Sequence, residues 1–311
     1  MTTLLELIES SARQLEQANV SFGHGTTNAF DEAAWLVLWS LGLPLDTSLD
    51  AANGAAAQTV TPEQVATVTA LLEQRITSRK PAAYLTREAW LQGVAFYVDE
   101  RTIVPRSLIA ELIADGGIDY WLSESTHRVL DLCTGNGSLA VIAALTYPDT
   151  VVTGADLSSD ALAVARINVD RHALQERITL VQSDGLRAPE LQARGPFDLI
   201  LCNPPYVNAD SMAALPAEYR AEPVMALAGG TDGMDFVRTL LTEAPALMAP
   251  GSVLVLEIGN ERDFFEAAFP YLEVIWLETS AGADQVMVIT REALVALMAP
   301  SPGPKPDGLG E

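Results

Sequence analysis

Lysine is almost absent from this chain. Of 311 residues only Lys80 and Lys305 are lysines, and basic residues number 18 against 41 acidic ones, a formal net charge of −23. Such a surface repels a phosphate backbone, so free nucleic acid is not an expected partner. It can instead steer a basic protein towards itself, although solubility or adaptation to salt leaves the same signature. Cysteine is equally scarce: Cys133 and Cys202 lie far apart and form no disulfide framework, which makes a reducing cytoplasm the expected compartment. His24, His127 and His172 are scattered without ligand spacing, so no metal site is expected. No apolar run approaches the ~18 residues of a membrane span, and no membrane association is expected. Glu6 and Glu9 fall in the first residues without a basic stretch before them, so no signal peptide is expected.

What is present is an ordinary folding composition, 49% hydrophobic and 19% charged. Residues 1 to about 80 read as helical. Thr3 and Glu6 form a capping-box pattern ahead of Leu4, Ile8, Ala12, Leu15 and Ala18 at helical spacing. A second helix is expected over Phe30 to Leu41, stopped by Gly42 and Pro44. A third starts at Thr61-Pro62-Glu63-Gln64, with a stripe of Val65, Val68, Leu72 and Ile76. Asp50 to Thr59 is expected to be a loop. Tyr84-Leu85, Ala89 to Leu91 and Phe96 to Val98 flank Gly93 and suggest a hairpin.

From Arg128 the period alternates. Strands are expected at Arg128 to Leu132, Val151 to Ala155, Ile178 to Val181, Leu199 to Cys202 and Ser252 to Ile258, with helices at Leu139 to Leu145, Ser159 to His172 and Phe236 to Met248. Repeated strand–helix units predict a doubly wound parallel sheet. Val274 to Leu277 and Gln285 to Ile289 should close it as an antiparallel hairpin. The expected division is a helical domain over 1–80, a hairpin linker over 81–106, the sheet domain over 107–299 and a disordered Pro/Gly-rich tail over 300–311.

The first strand of the sheet runs into Asp131-Leu-Cys-Thr134-Gly135-Asn-Gly137, and a helix follows. Glycines there admit a ligand close to the backbone, and the helix N-terminus favours negative charge. Asp156 ends the next strand, where a carboxylate can accept from both hydroxyls of a ribose. A dinucleotide site fits the same pattern. Asp131 favours S-adenosylmethionine (SAM) over a pyrophosphate cofactor, because a carboxylate attracts the α-amino group of the former and repels the latter. Asp184, after the third strand, is a candidate acceptor for the adenine amino group; the plainer reading is a solvated turn aspartate.

Asn203-Pro204-Pro205-Tyr206 follows the fourth strand. Two prolines rigidify the loop and remove two donors. The Asn203 side-chain oxygen and the Pro204 carbonyl can then face outward as paired acceptors. That pair suits an NH₂ group on a planar nitrogen, and holding both hydrogens aims its developing lone pair. Tyr206 can wall the reacting centre or stabilise a sulfonium through its π-face. A rigid turn without function is the plain alternative. No Asp or Glu adjacent to this tetrad stands out as a general base.

These residues resemble SAM-dependent methyltransferases that modify planar amino groups. The surrounding motifs resemble the bacterial N(5)-glutamine methyltransferases, with a Rossmann-like fold, a mostly parallel seven-stranded sheet and a small N-terminal helical substrate-recognition domain. The matching stretches are Gly23-His-Gly-Thr26, Ala83-Tyr-Leu-Thr86, Ala89-Trp90, Phe96 to Arg101, Val104-Pro105-Arg106-Ser107, Leu215 to Pro223, Gly230-Thr-Asp-Gly233 and Glu257-Ile-Gly-Asn260. Within that family the resemblance is strongest to the branch acting on large-subunit ribosomal protein number three, a basic substrate. It implies methyl transfer from SAM to a glutamine side-chain amide. Asn203 and Pro204 would position that amide, with Pro205 and Tyr206 beside it. Asp131, Thr134, Gly135, Gly137, Asp156, Asp184, Asn203 and Pro105 would contact the cofactor. The family's release-factor branch is the alternative, and an adenine methyltransferase, a nicotinamide-dependent oxidoreductase and a SAM-binding assembly factor are rivals. Gly185 departs from the pattern, since relatives tend to carry a bulky residue there that packs on the adenine. The oligomeric state stays open.

Other residues have bland readings. His24 fits a structured turn, Trp35 and Trp39 fit helix packing, and the cysteines fit small buried core positions. Glu218, Tyr219, Arg220 and Glu222 fall on a long loop after the tetrad, which is expected to order on substrate binding.

Overall fold

Thr3 and Thr61 start two of the three long N-terminal helices in the way their sequences dictate. The computed structural model describes residues 1–50 and 54–298. Both threonines close full capping boxes, with Glu6 and Gln64 reaching back to the cap N–H, at the heads of α1 (Leu4–Gln17) and α3 (Pro62–Ser78). Between them lies α2 (Ala29–Ser40), capped by Asn28. Part of the expected 50–59 loop falls outside the described residues. The rest serves α1, because the carbonyls of Ala56 and Gln58 accept the unpaired N–H groups of Leu5 and Leu4. Leu4, Ile8, Leu15, Leu36, Val37, Val68 and Leu72 form a separate buried cluster. Val65 and Ile76 are only half-buried against it. Arg75 is instead buried on α3 together with Val68 and Leu72.

Tyr84 and Leu85 are helical, not extended: they belong to the short α4 (Ala82–Thr86). The Tyr84 hydroxyl donates to the Thr102 carbonyl, so its ring is anchored at the head of the next segment. The hairpin itself is β1 (Ala89–Leu91) and β2 (Val94–Phe96), antiparallel around Gln92 and Gly93. Both turn residues have positive φ, the geometry of a two-residue turn that matches strand twist.

The main sheet contains β3 (Arg128–Leu132), β4 (Val151–Asp156), β5 (Ile178–Gln182), β6 (Phe197–Cys202), β7 (Met248–Glu257), β8 (Ile275–Thr279) and β9 (Gly282–Thr290), in the order β5-β4-β3-β6-β7-β9-β8. Pairs from β5 to β7 are parallel, and β9 is antiparallel to both β7 and β8. Both faces are buried, which is why these strands read as continuous apolar runs. Alternation still sorts the side chains: Val129, Leu199, Leu201, Val253 and Val255 enter one core, Leu130, Ile200, Cys202, Leu254 and Leu256 the other. The first core is closed by α5 (Ile109–Ala114) and α6 (Ser138–Thr146), and α7 (Ser159–Arg171) contributes Val169. The second is closed by α10 (Asp235–Glu243) and α12 (Arg291–Met298), with α11 (Arg262–Ala268) supplying Phe265. Short α8 (Pro189–Gln192) and α9 (Ala209–Ala214) lie in connections. Helix α10 ends before the expected Met248, because Pro245 falls in a 3₁₀ turn and Met248 already begins β7. The expected disordered tail lies outside the described residues. Among those described, no helix is long and apolar enough to cross a membrane.

Candidate active site

A cleft with about 790 Å³ of empty volume opens at the carboxyl ends of β3 to β6, where doubly wound sheets bind ligands. Gly135, Asp156, Asp184, Asn203 and Pro205 line it. The sequence therefore brings together five of its predicted site positions. The others are close in the chain but play different parts.

Gly135 adopts φ +55° and presents backbone to the cleft. Gly137 does not line the cleft. Its φ is +80°, and a Cβ there would stand 3.1 Å from the Ala165 Cβ, so its task is to let α6 approach α7. Thr134 is buried, and its hydroxyl donates to Asp131 Oδ2 at 2.5 Å. The Ala140 N–H donates to the same oxygen at 2.9 Å. Asp131 is thus inside the loop and not in the cleft wall, and it sets the loop's shape. Its other oxygen, Oδ1, is buried without a hydrogen-bond partner. Burial pushes the Asp131 carboxyl up to about 7, against the opposing pull of its two hydrogen bonds.

Asp156 faces the cleft while accepting from the Gly135 N–H and the Ser158 N–H, both at 2.9 Å. Burial raises its pKa. A carboxylate has about four lone-pair positions, so two remain for a ligand. Asp184 sits at the rim. Its side chain is 65% exposed and ion-paired with Arg187 at 3.0 Å, which is the geometry of the plainer turn reading. Phe236, unmarked by the sequence, supplies the flat apolar wall that Gly185 lacks. Its ring carbon Cε2 stands 3.9 Å from where a Gly185 Cβ would be.

Asn203 is half-buried in the cleft wall, and its side chain has no hydrogen-bond partner among the described residues. Pro204 is buried behind it. The Tyr206 ring is pressed on Gly259, where an added Cβ would come within 2.6 Å of the ring. Its hydroxyl donates to Glu257 Oε1 at 3.4 Å. Burial and Glu257 raise the Tyr206 pKa, so the phenol stays protonated. A carboxylate that no adjacency in the sequence revealed is therefore within reach of the tetrad. Glu257 Oε2 is already engaged, accepting from the Ser107 hydroxyl at 2.5 Å and the Leu108 N–H at 2.9 Å. Burial raises its pKa.

Pro105 is buried and does not line the cleft; Arg101, Thr102 and Ile103 do. The reason is Glu222. Its Oε1 accepts from the Val104 N–H at 2.8 Å, and both oxygens take the Arg106 guanidinium at 2.7 Å. His24 Nε2 lies 3.6 Å from the same carboxylate, and its ring packs on Tyr219 with centroids 4.3 Å apart. Burial opposes ionisation of Glu222, but His24 and Arg106 prevail and hold its carboxyl at about 2. Beside it, Arg75 donates to Glu32 at 2.8 Å and to Glu218 at 3.3 Å, both buried, and to the Ser21 carbonyl at 2.9 Å. Gly23 to Thr26, α3 and the Leu215 to Pro223 segment are thus joined by ions. Asn168 makes a similar junction: it exchanges two hydrogen bonds with the Tyr97 backbone and donates to the Asn136 carbonyl.

Sheet order and strand-end cleft place the chain among the Rossmann-like methyltransferases. A family model described as "Methyltransferase small domain" matches residues 118–218. The hMettl16 catalytic domain, solved in complex with a MAT2A 3′UTR hairpin, superimposes with a TM-score of 0.50 at 12% identity, over 74% of this chain and 81% of that one. The ribosomal protein uL3 glutamine methyltransferase of Bordetella pertussis is 51% identical over 94% of this chain and 97% of its own. That of Burkholderia pseudomallei is 52% identical over 95% and 96%. The chain belongs to the family of ribosomal protein uL3 glutamine methyltransferases.

Proposed function

We propose that this protein transfers a methyl group from SAM to the side-chain amide nitrogen of a glutamine in ribosomal protein uL3, in the cytoplasm. The observation that carries the reading is an Asn203 amide free of partners among the described residues in the wall of the cleft, in a chain whose named relatives match it almost end to end. The residues present fit SAM. Asp131 has one buried oxygen unpaired, which suits an ammonium. Asp156 keeps capacity for ribose hydroxyls, and Phe236 and Leu157 give apolar wall for a flat ring. SAM, when bound, supplies an electrophilic methyl group on a sulfonium.

Amide nitrogen is a poor nucleophile because its lone pair is delocalised into the carbonyl. The chain's contribution is therefore geometric. Asn203 Oδ1 and the Pro204 carbonyl accept the two amide hydrogens and turn the lone pair towards the methyl. Tyr206, seated on Gly259 and tethered to Glu257, keeps this wall rigid. SAM would supply the methyl as its C–S bond opens, and the nitrogen held by Asn203 and Pro204 would then give up its proton to solvent. Helices α1 to α3 form the recognition unit for the protein substrate.

The test is mass spectrometry of purified uL3 after incubation with the enzyme and SAM, with a peptide-release factor in parallel. One methyl on one glutamine of uL3, and none on the release factor, is expected. Methyl on the release factor alone would keep the chemistry and change the substrate.

A further inference from the structure

Trp39 and Trp90 remain 39% and 46% exposed although they are the largest apolar side chains of their neighbourhoods. They come from different elements, the end of α2 and the middle of β1. They nevertheless line one groove, of about 1270 Å³ empty volume, completed by Leu43, Leu45, Asp46 and Glu88. Helix packing thus accounts for Trp35, which joins two core clusters, but not for Trp39. The Trp90 indole is held in place: its Nε1 donates to Glu88 Oε1 at 3.1 Å. Glu88 is in turn paired with Arg171 at 3.2 Å. Asp46 has no ion-pair partner among the described residues, and no basic residue lines the groove.

We propose that this groove docks an extended arginine- or lysine-bearing segment of the protein substrate, and that Trp39 and Trp90 receive its cationic side chains. The proposal rests on the uL3 reading for the identity of that substrate. Three features carry it. Indole rings attract guanidinium and ammonium groups, and arginine most of all. The rim is acidic in a chain with 41 acidic and 18 basic residues, so charge is complementary to a basic partner and repels a nucleic acid. The groove joins α2 of the N-terminal helices to the hairpin that leads into the cleft-lining residues Arg101 to Ile103, so a segment bound there is gripped by both.

The experiment measures binding of fluorescently labelled uL3 by anisotropy, without SAM, for the full chain and for Trp39→Ser/Trp90→Ser. The double variant should bind about tenfold more weakly, with an unchanged melting temperature and unchanged SAM affinity. Trp90→Phe, which keeps a ring, should recover most of the loss and covers the case in which the serine pair disturbs folding. Equal uL3 affinity for the double variant and the wild type would overturn the proposal. So would no uL3 binding by the wild type, or light scattering that shows a wild-type dimer dispersed by the variant, since the occupant would then be a second copy. Methylation is scored separately: wild-type binding lost in the variant, with no methyl on uL3, keeps the groove and sinks the proposed reaction.

Discussion

At the scale of single residues Asn203 is assigned to the substrate, and the unpaired Asp131 oxygen to the cofactor, on the proposed reading. Asn203→Ala removes an acceptor that has no structural partner to lose. The expected outcome is a kcat lower by about two to three orders of magnitude, with melting temperature and cofactor affinity retained; single-turnover methylation measures it. On that reading Asp131 makes cofactor binding sensitive to pH. In the free protein its carboxyl is pushed up to about 7 by burial, so the neutral form dominates below that value. A ligand ammonium needs the ionised form. Cofactor affinity should therefore rise as pH climbs towards 7 and level off above it. Calorimetry should find binding about tenfold weaker at pH 6 than at pH 8, and a flat profile would remove Asp131 from the cofactor's contacts. Gly259 gives a third handle. Gly259→Ala places a methyl against the Tyr206 ring at a φ of +53°. A stability loss of about 1–3 kcal/mol is expected in urea titration.

Secondary-structure elements differ in how openly the sequence announces them. The strands β3 to β7 could be read because both faces of each are buried, leaving unbroken apolar runs such as Leu199 to Cys202. The capping boxes of α1 and α3 were equally legible, being purely local. Helices α4, α5, α8, α9 and α11 were not, since four to seven residues do not complete two helical periods. The same limit governs the site. Gly135, Asp156 and Asn203 could be found because strand ends carry them into the cleft. Phe236 could not, because nothing near it in sequence tells where its helix will bring it; Glu257 is marked as part of a motif, but its reach to the Tyr206 hydroxyl depends on two segments 51 positions apart. Arg75 is the extreme case, for its acidic partners lie 43 and 143 positions away. Arg75→Ala leaves Glu32 and Glu218 buried with less compensation, and a loss of about 3–5 kcal/mol is expected by chemical denaturation. A loss below 1 kcal/mol would mean that water replaces the guanidinium.

Charge acts on the whole molecule. With a net charge of −23, association with a basic protein should be fast and salt-sensitive. Stopped-flow measurements should show the association rate falling about tenfold between 0.05 and 0.5 M salt, while the dissociation rate changes little. Acid has a separate effect. The Glu222 carboxyl is held at about 2, below its ordinary 4.5, so its ion pairs stabilise the fold fully above pH 4.5. That contribution is lost as pH falls from 4.5 towards 2, an effect on the order of 3 kcal/mol. Circular dichroism over this window checks it.

The buried contacts that join Arg75 of α3 to Glu218 and His24 to Glu222 also bear on how this enzyme could be taken apart. Residues 1–80 have the look of a cassette exchangeable between relatives. They are not free-standing in that sense, because Glu218, which shares Arg75 with Glu32, and Glu222, which faces His24, are encoded more than a hundred residues downstream. A transplant of residues 1–80 alone would strand Arg75 without Glu218 and His24 without Glu222. A chimera that keeps these contacts has to carry residues 215–223 along with the first eighty, so the structural unit to which those helices belong is discontinuous in the chain.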